Sequence, residues 1–105
     1  MNDHSANISS YRGAFRIDAA HACLPGHFPG QPLVPAVVML EHVALQLKAW
    51  RNARLARVIE AKFVAPLLPE QEAQITLEAQ GTRIRFQIER EQQVLARGVI
   101  EGVSA

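Results

Sequence analysis

The sequence is poor in the residues that build covalent frameworks and membrane anchors. It contains one cysteine, Cys23, among 105 residues. A single cysteine cannot form a disulfide within the chain, which favours a reducing compartment and, by elimination, a cytoplasmic location. No stretch approaches the ~20 consecutive apolar residues of a transmembrane helix, and residues 1–5 lack the basic and apolar regions of a signal peptide.

The sequence also lacks an excess of charge of either sign. Eleven Lys and Arg residues against ten Asp and Glu residues give a formal net charge of +1, and aromatic residues make up 6%. This balance excludes a global basic field for nucleic acid. With 49% hydrophobic residues, the composition is typical of one soluble globular domain over residues 1–105, with residues 1–7 polar and disordered.

One helix dominates the predicted secondary structure. Prolines and glycines between Asp18 and Val34 disfavour a helix and predict a long ordered loop, and Pro35 suits the first position of a helix. A helix is predicted from Ala36 to about Asn52, with its first three turns buried because it is apolar on nearly every side through Leu47.

Five strands complete the prediction. Alternation of apolar and polar residues predicts a strand before the loop, and four more follow the helix with short turns between them. Short connections indicate antiparallel pairing, so the expected fold is α+β, with one central helix against a curved antiparallel sheet. The predicted strands are residues 8–17, 57–64, 72–80, 83–88 and 94–101.

A histidine and a carboxylate give the strongest chemical signal. His27 lies in the proline-rich loop, and Glu41 follows fourteen residues later inside the apolar helix. An imidazole can take and return a proton near neutral pH, and a buried carboxyl group tends to keep its proton. The pair is therefore a candidate base and acid, whereas the alternatives are a structural histidine and a Glu41 paired with His42, Lys48 or an arginine.

The start of the helix is a candidate oxyanion site. The first backbone amides, around Pro35, Ala36 and Val37, have no acceptor within the helix and lie at the positive end of its dipole. Donors of this kind stabilise an oxygen that gains negative charge during a reaction. Every helix has such an end, so the signal has meaning only beside His27 and Glu41.

Two further groups of residues have open interpretations. Apolar residues near the loop and helix line a ligand tunnel or form ordinary core, and basic residues around and beyond the helix end dock an acidic partner or form a solvated helix end. A metal site from His21, His27, Glu41 and His42 lacks tight ligand spacing. The tunnel candidates are Phe28, Leu33, Val37, Leu40, Val58, Ile59 and Phe63, and the basic residues are Lys48, Arg51, Arg54, Arg57 and Lys62.

The loop and helix start resemble a known family. Gly26-His27-Phe28-Pro29-Gly30, with Pro32 and Pro35, is similar to the GHFPG-x-P-x-x-PG signature of hotdog-fold β-hydroxyacyl-acyl-carrier-protein dehydratases of the FabZ and FabA type. The stretch from Ala61 to Pro69 is similar to a second family segment, KF-x-x-P-V-x-P-G. The resemblance spans about residues 20–102, and the short chain is similar to the ApeI-like branch of aryl-polyene and pigment clusters.

The resemblance implies a fold, a reaction and a site. It implies a hotdog fold, no cofactor, and loss of water from a (3R)-hydroxyacyl group on acyl carrier protein. His27 would take the C2 proton and Glu41 would protonate, or orient water at, the C3 hydroxyl, each from a different subunit of a homodimer or hetero-oligomer with a related subunit. The apolar candidates would line an acyl tunnel, and the basic residues would dock the acidic carrier protein. The Ala36 amide would hold the thioester oxygen, with Phe28, Gly30, Pro35, Val37, Leu40 and Phe63 around the substrate.

Two positions depart from the family pattern. Ala36 and Glu70 stand where the family has glycine. Alanine keeps the backbone N–H, but its methyl group adds bulk beside the thioester. Two rival functions follow: thioester hydrolysis on the same fold, or a non-catalytic subunit that binds the acyl carrier protein and supports an active homologue.

Overall fold

The computed structural model describes residues 10–18 and 33–104. It contains one α-helix and five β-strands, all in one sheet with the order β1-β3-β4-β5-β2, and every neighbouring pair is antiparallel. The elements are β1 (Ser10–Arg16), α1 (Ala36–Arg51), β2 (Ala53–Phe63), β3 (Glu72–Gln80), β4 (Arg83–Arg90) and β5 (Gln93–Ser104).

The core lies between α1 and one face of the sheet. Alternate residues of the central strands point to the helix, as a period of two requires, and the opposite face of the sheet is polar. We call this opposite face the outer face. The fully buried side chains are mainly aliphatic: Ile17, Val43, Leu47, Leu67, Ile75, Leu77, Phe86, Ile88, Leu95 and Ile100.

The helix is less buried than its composition suggested. Val38, Met39, Val43 and Leu47 are buried, which confirms the apolar inner side. The prediction that the first three turns are buried all round is wrong, because Val37 and Leu45 are 62% and 60% exposed. An apolar helix in a single chain can bury only the side that meets the sheet, and the other side needs a second partner.

The predicted strands are confirmed, with corrected boundaries: β4 extends to Arg90, β5 runs from Gln93 to Ser104, and β2 begins earlier than predicted. β2 begins at Ala53 rather than Arg57, because Asn52 ends the helix in a left-handed conformation (φ 51°) and its N–H donates to the Lys48 carbonyl at 2.9 Å. Asparagine tolerates this conformation well. Arg54, which the sequence placed at the helix end, therefore belongs to the edge strand β2.

Gly98 lets the edge strand approach the core. A Cβ at this position would lie 2.2 Å from the Glu60 carbonyl oxygen and 2.7 Å from Cε2 of Phe86. The register of β2 against β5 shifts between Val58 and Glu60, and such bulges bend a strand. A residue without a side chain is required where the bent β2 backbone crosses Phe86.

Two hairpins connect the last three strands. Gly81 has a φ of 63°, and Glu91 and Gln92 have φ values of 51° and 69°. Two consecutive residues with positive φ form the type I′ turn that suits a two-residue hairpin. The predicted hairpin around Glu91 and Gln92 is confirmed, although neither residue is of the type that favours this conformation.

Candidate functional site

The start of α1 is fixed to the segment that follows β2. The Val34 N–H donates to the Leu67 carbonyl at 2.9 Å, and both side chains are buried. Pro35 is extended (ψ 150°) and precedes the first helical residue, Ala36. The Pro35 carbonyl accepts from Val38 at 3.0 Å and from Met39 at 3.2 Å. The position of the first helical amides is therefore set by backbone bonds on both sides.

The segment after β2 is attached to the sheet by a shared acceptor. The Leu95 carbonyl accepts from Val64 at 2.8 Å and from Ala65 at 3.2 Å. Two bonds to one carbonyl keep this segment close to β5 after the regular pairing of β2 ends. The second family segment of the sequence, Ala61 to Pro69, thus forms the wall that faces the helix start.

An apolar cleft lies between this wall and the helix start. Its volume is about 330 Å³. Phe63, at the end of β2, is 38% exposed and forms one side, whereas Met39, at 2% exposure, lies at the base. The lining residues are Leu33, Val34, Pro35, Ala36, Met39, Phe63, Val64, Ala65 and Pro66.

The electrostatics of the cleft favour an oxygen that carries partial negative charge. The first turn of α1 contains no acidic residue and no side chain caps its N-terminus. The first amides of a helix lack acceptors within the helix, and the dipole places positive potential there. An apolar wall strengthens such an interaction because it excludes water. The cleft can therefore hold an acyl group with its carbonyl oxygen at the helix start.

Glu41 lies on another side of the same helix. It is exposed, between Val37 one turn before and Leu45 one turn after. At 100° per residue, Glu41 and Met39 point roughly 160° apart around the helix axis. The expectation of a Glu41 buried within its own chain is therefore wrong, since its side chain points away from the cleft.

The alternative partners of Glu41 are not found in the described part of the chain. Among residues 10–18 and 33–104, no ion pair joins Glu41 to Lys48 or to an arginine. The His42 ring stacks on Phe15 of β1, with ring centroids 4.5 Å apart and an angle of 15° between the planes. His42 therefore packs toward β1, and Glu41 projects to the exposed side of the helix.

The structure brings together some of the predicted substrate residues. Leu33, Pro35, Ala36 and Phe63 line the cleft, whereas Val58 and Ile59 are not among its lining residues. Val37 is exposed on the Glu41 side, and Leu40 is half-buried against the core, so neither lines the cleft. His27, Phe28 and Gly30 lie outside the described residues, as do His21, Cys23 and residues 1–7, and their predicted roles stay predictions.

Sequence reasoning missed five cleft residues: Val34, Met39, Val64, Ala65 and Pro66. Met39 follows Ala36 by three positions, which places both on neighbouring sides of the helix. The three-residue spacing could have indicated that Met39 lies beside Ala36. Many pairs in the apolar run have the same spacing, so it does not single out Met39.

The five basic residues predicted to dock a carrier protein do not form one group. Lys48 and Arg51 are in the last turns of α1, beside Arg54 at the start of β2. Lys62 lies eight residues after Arg54 in β2, so the two positions are about 26 Å apart along the strand. Arg57 is already bound by Glu101, with Nη2 and Oε1 3.0 Å apart.

Such an antiparallel sheet around one helix, with an apolar cleft at the helix start, defines the hotdog fold, and known proteins share it. One similar structure is the dehydratase heterocomplex ApeI:P from Xenorhabdus doucetiae, with a TM-score of 0.78 and 20% identity. The likeness covers 90% of this chain and 88% of that chain. Another is an uncharacterized protein from Erwinia carotovora subsp. atroseptica (TM-score 0.74, 22% identity, covering 90% and 83%). These likenesses confirm the predicted hotdog fold.

A model of the ApeI-like family, described as ApeI dehydratase, matches residues 3–99. The chain belongs to this family, which confirms the resemblance found in the sequence. The 3-hydroxyacyl-(acyl-carrier-protein) dehydratase FabZ of Haemophilus influenzae strain PittEE is 32% identical over 72 residues, which are 59% of this chain and 49% of that protein. The FabZ of Histophilus somni strain 2336 is 35% identical over 66 residues, which are 53% of this chain and 44% of that protein. The chain matches about half the length of these relatives.

Within the residues that the structure describes, no helix is long and apolar enough to cross a membrane.

Proposed function

We propose that the chain dehydrates a (3R)-hydroxyacyl thioester carried on acyl carrier protein and releases the trans-2-enoyl thioester. The observation that carries the proposal is the apolar cleft at the start of α1, with the Ala36 amide at its edge. The family match over residues 3–99 and the sequence signature around His27 support the same reaction.

The proposed chemistry is an elimination of water. His27 takes the proton from C2, and the electron pair of the broken C–H bond forms the C2–C3 double bond. The C3–O bond breaks, and Glu41 gives its proton to the departing hydroxyl, which leaves as water. The Ala36 N–H holds the thioester oxygen while it carries the negative charge of the enolate.

We propose that two subunits complete each site. Glu41 and the cleft of its own chain diverge by roughly 160° around the helix, so one chain does not direct both at one substrate. Glu41 instead lies on an exposed apolar side between Val37 and Leu45. A second subunit that covers this side receives Glu41 in its own cleft, whose apolar lining excludes water.

The second subunit is a copy of this chain or a related hotdog subunit. The solved ApeI:P structure from Xenorhabdus doucetiae is a dehydratase heterocomplex, which supports the related subunit. We therefore propose testing the purified chain both alone and together with a co-expressed related hotdog subunit. The carrier protein is the proposed source of the substrate in either case.

The test is a direct conversion. The chain is incubated with a (3R)-hydroxyacyl carrier protein, and the intact carrier is weighed by mass spectrometry. The proposal expects the acyl group to lose one water. Release of free carrier thiol without loss of water would contradict it and support thioester hydrolysis, and dehydration by the complex that is unaffected by His27→Ala would support a non-catalytic role.

The role of Ala36 has a matched pair of variants. Ala36→Pro removes the N–H but suits the first helical position, and the extended Pro35 accepts a following proline. Ala36→Gly keeps the N–H and restores the family residue. We expect Ala36→Pro to lower kcat about 10²- to 10³-fold, the usual effect of one lost oxyanion donor, and Ala36→Gly to keep or raise it. Equal rates for the two variants would remove the amide from the mechanism.

A further inference from the structure

A basic depression lies on the outer face of the sheet, away from the helix. Its volume is about 350 Å³. It contains Lys62 of β2, Arg97 of β5 and Arg85 of β4, and we call these three residues the outer-face cluster. Its complete lining is Glu60, Lys62, Arg85, Phe86, Gln87, Arg97, Gly98 and Val99.

The register of the strands brings like charges together. Lys62 and Arg97 are direct partners across β2 and β5, and Arg85 pairs with Val99, two residues further along the same strand. Like charges directly opposite each other destabilise a sheet. The repulsion between these cations is relieved when an anionic group binds across the strands.

Three arginines elsewhere on the sheet have carboxylate partners. Arg57 and Arg83 both bind Glu101, at 3.0 and 3.6 Å, and Arg16 binds Glu70 at 3.6 Å. Within the described part of the chain, no carboxylate makes an ion pair with Lys62 or Arg97. Glu60 is the one carboxylate in the lining, so three cations against one carboxylate leave a net positive charge in the depression that is available to a partner.

The spacing of the cluster suits an acidic helix. Neighbouring strands are about 4.8 Å apart, and successive turns of a helix are about 5.4 Å apart. Carboxylates one turn apart on a helix laid across the strands meet cations on successive strands. Single-stranded nucleic acid is a poorer match because the only aromatic lining residue, Phe86, is fully buried and offers no stacking surface.

The cluster lies beside the cleft along the chain. Lys62 and Phe63 are adjacent residues of β2, with Lys62 on the outer face and Phe63 lining the cleft. A protein docked on the cluster is thus at the end of β2 where the cleft opens. The basic residues at the far end of α1 and the start of β2 lack this proximity.

We propose that the outer-face cluster docks an acidic helix of the carrier protein that delivers the acyl thioester. The inference rests on the proposed function and replaces the docking surface predicted from the run of basic residues, of which only Lys62 is kept.

The experiment compares two charge reversals of equal size. Lys62→Glu with Arg97→Glu alters the cluster, and Lys48→Glu with Arg54→Glu alters the basic residues at the end of α1 and the start of β2. Affinity for the holo carrier protein is measured by titration calorimetry at low and high salt. kcat/KM is measured with the hydroxyacyl carrier protein and with the same acyl group on N-acetylcysteamine, which has no protein part.

We expect the cluster reversal to weaken carrier binding about tenfold or more, as loss of charge complementarity does at polar interfaces. kcat/KM should fall by a similar factor for the carrier-bound substrate relative to the N-acetylcysteamine substrate. The milder pair Lys62→Gln and Arg97→Gln should show a smaller effect in the same direction, and circular dichroism verifies folding of each variant.

Two results would overturn the proposal. One is carrier affinity that is unaffected by the cluster reversal, and the other is an equal or greater loss from the reversal at Lys48 and Arg54. A wild-type chain that binds the carrier but dehydrates neither substrate contradicts the proposed function and leaves the binding comparison valid. The two hypotheses therefore fail in distinguishable ways.

Discussion

Leu45 tests whether the exposed side of α1 is covered by a second subunit. Leu45 is 60% exposed in the single chain, and full burial of a leucine contributes about 1.5–3 kcal/mol. Covering the exposed part is therefore worth about 1–2 kcal/mol per copy, or about 2–4 kcal/mol when a two-fold interface uses the residue twice. Leu45→Gln removes this free energy of association, and glutamine is still a good helix former.

We expect Leu45→Gln to raise the dimer dissociation constant about 30-fold to several hundredfold, because each 1.4 kcal/mol is a factor of ten. Sedimentation velocity over a range of concentrations measures this constant. The unfolding free energy of the separated subunit should change by less than about 0.5 kcal/mol, since the site is exposed there.

Val103→Gln is the matched control for this substitution. Val103 is 41% exposed and lies on the outer face, because its neighbour Gly102 faces Leu47. We expect no change in the dissociation constant. If Leu45→Gln and Val103→Gln have the same effect, or if neither weakens association, the assignment of the Glu41 side of the helix as the interface is refuted.

Two further predictions concern the fold. Gly98→Ala should lower the unfolding free energy by about 1–3 kcal/mol, the usual cost of overpacking, because the new methyl group meets the Glu60 backbone; a denaturant midpoint equal to wild type would contradict the close approach. Glu91→Asn with Gln92→Gly should raise stability by about 1 kcal/mol, since these residues suit the type I′ turn, and a lower melting temperature would contradict that turn geometry.

Local patterns in the sequence were enough to predict most elements of the fold. The alternation around Ile75 and Ile84 is visible in the sequence because each strand has one buried face. The early start of β2 was missed because one left-handed residue, Asn52, ends the helix and the following Ala53 and Arg54 show no alternation. The final shape of that boundary depends on pairing with β5, which is distant in sequence.

The site was only partly predictable, because part of its geometry depends on contacts between residues that are distant in sequence. The Ala36 amide follows from the helix start, which is a local feature. The exposure of Glu41 and Leu45 depends on which side of the helix meets the sheet, and an all-round apolar helix does not encode that choice. The separation of Lys62 from Arg54 likewise requires the strand geometry, since eight extended residues place the two about 26 Å apart.

The central claim is that His27 and Glu41 from two subunits form one dehydratase site. The most direct measurement mixes two inactive variants, His27→Ala and Glu41→Gln, after dissociating and reassociating them, and follows enoyl formation on the carrier protein. The account predicts that each variant alone is inactive and that the mixture recovers about one quarter of wild-type activity, because half of randomly paired dimers are mixed and each has one complete site. A mixture as inactive as its two components would contradict a shared site, and full activity of either variant alone would contradict the mechanism.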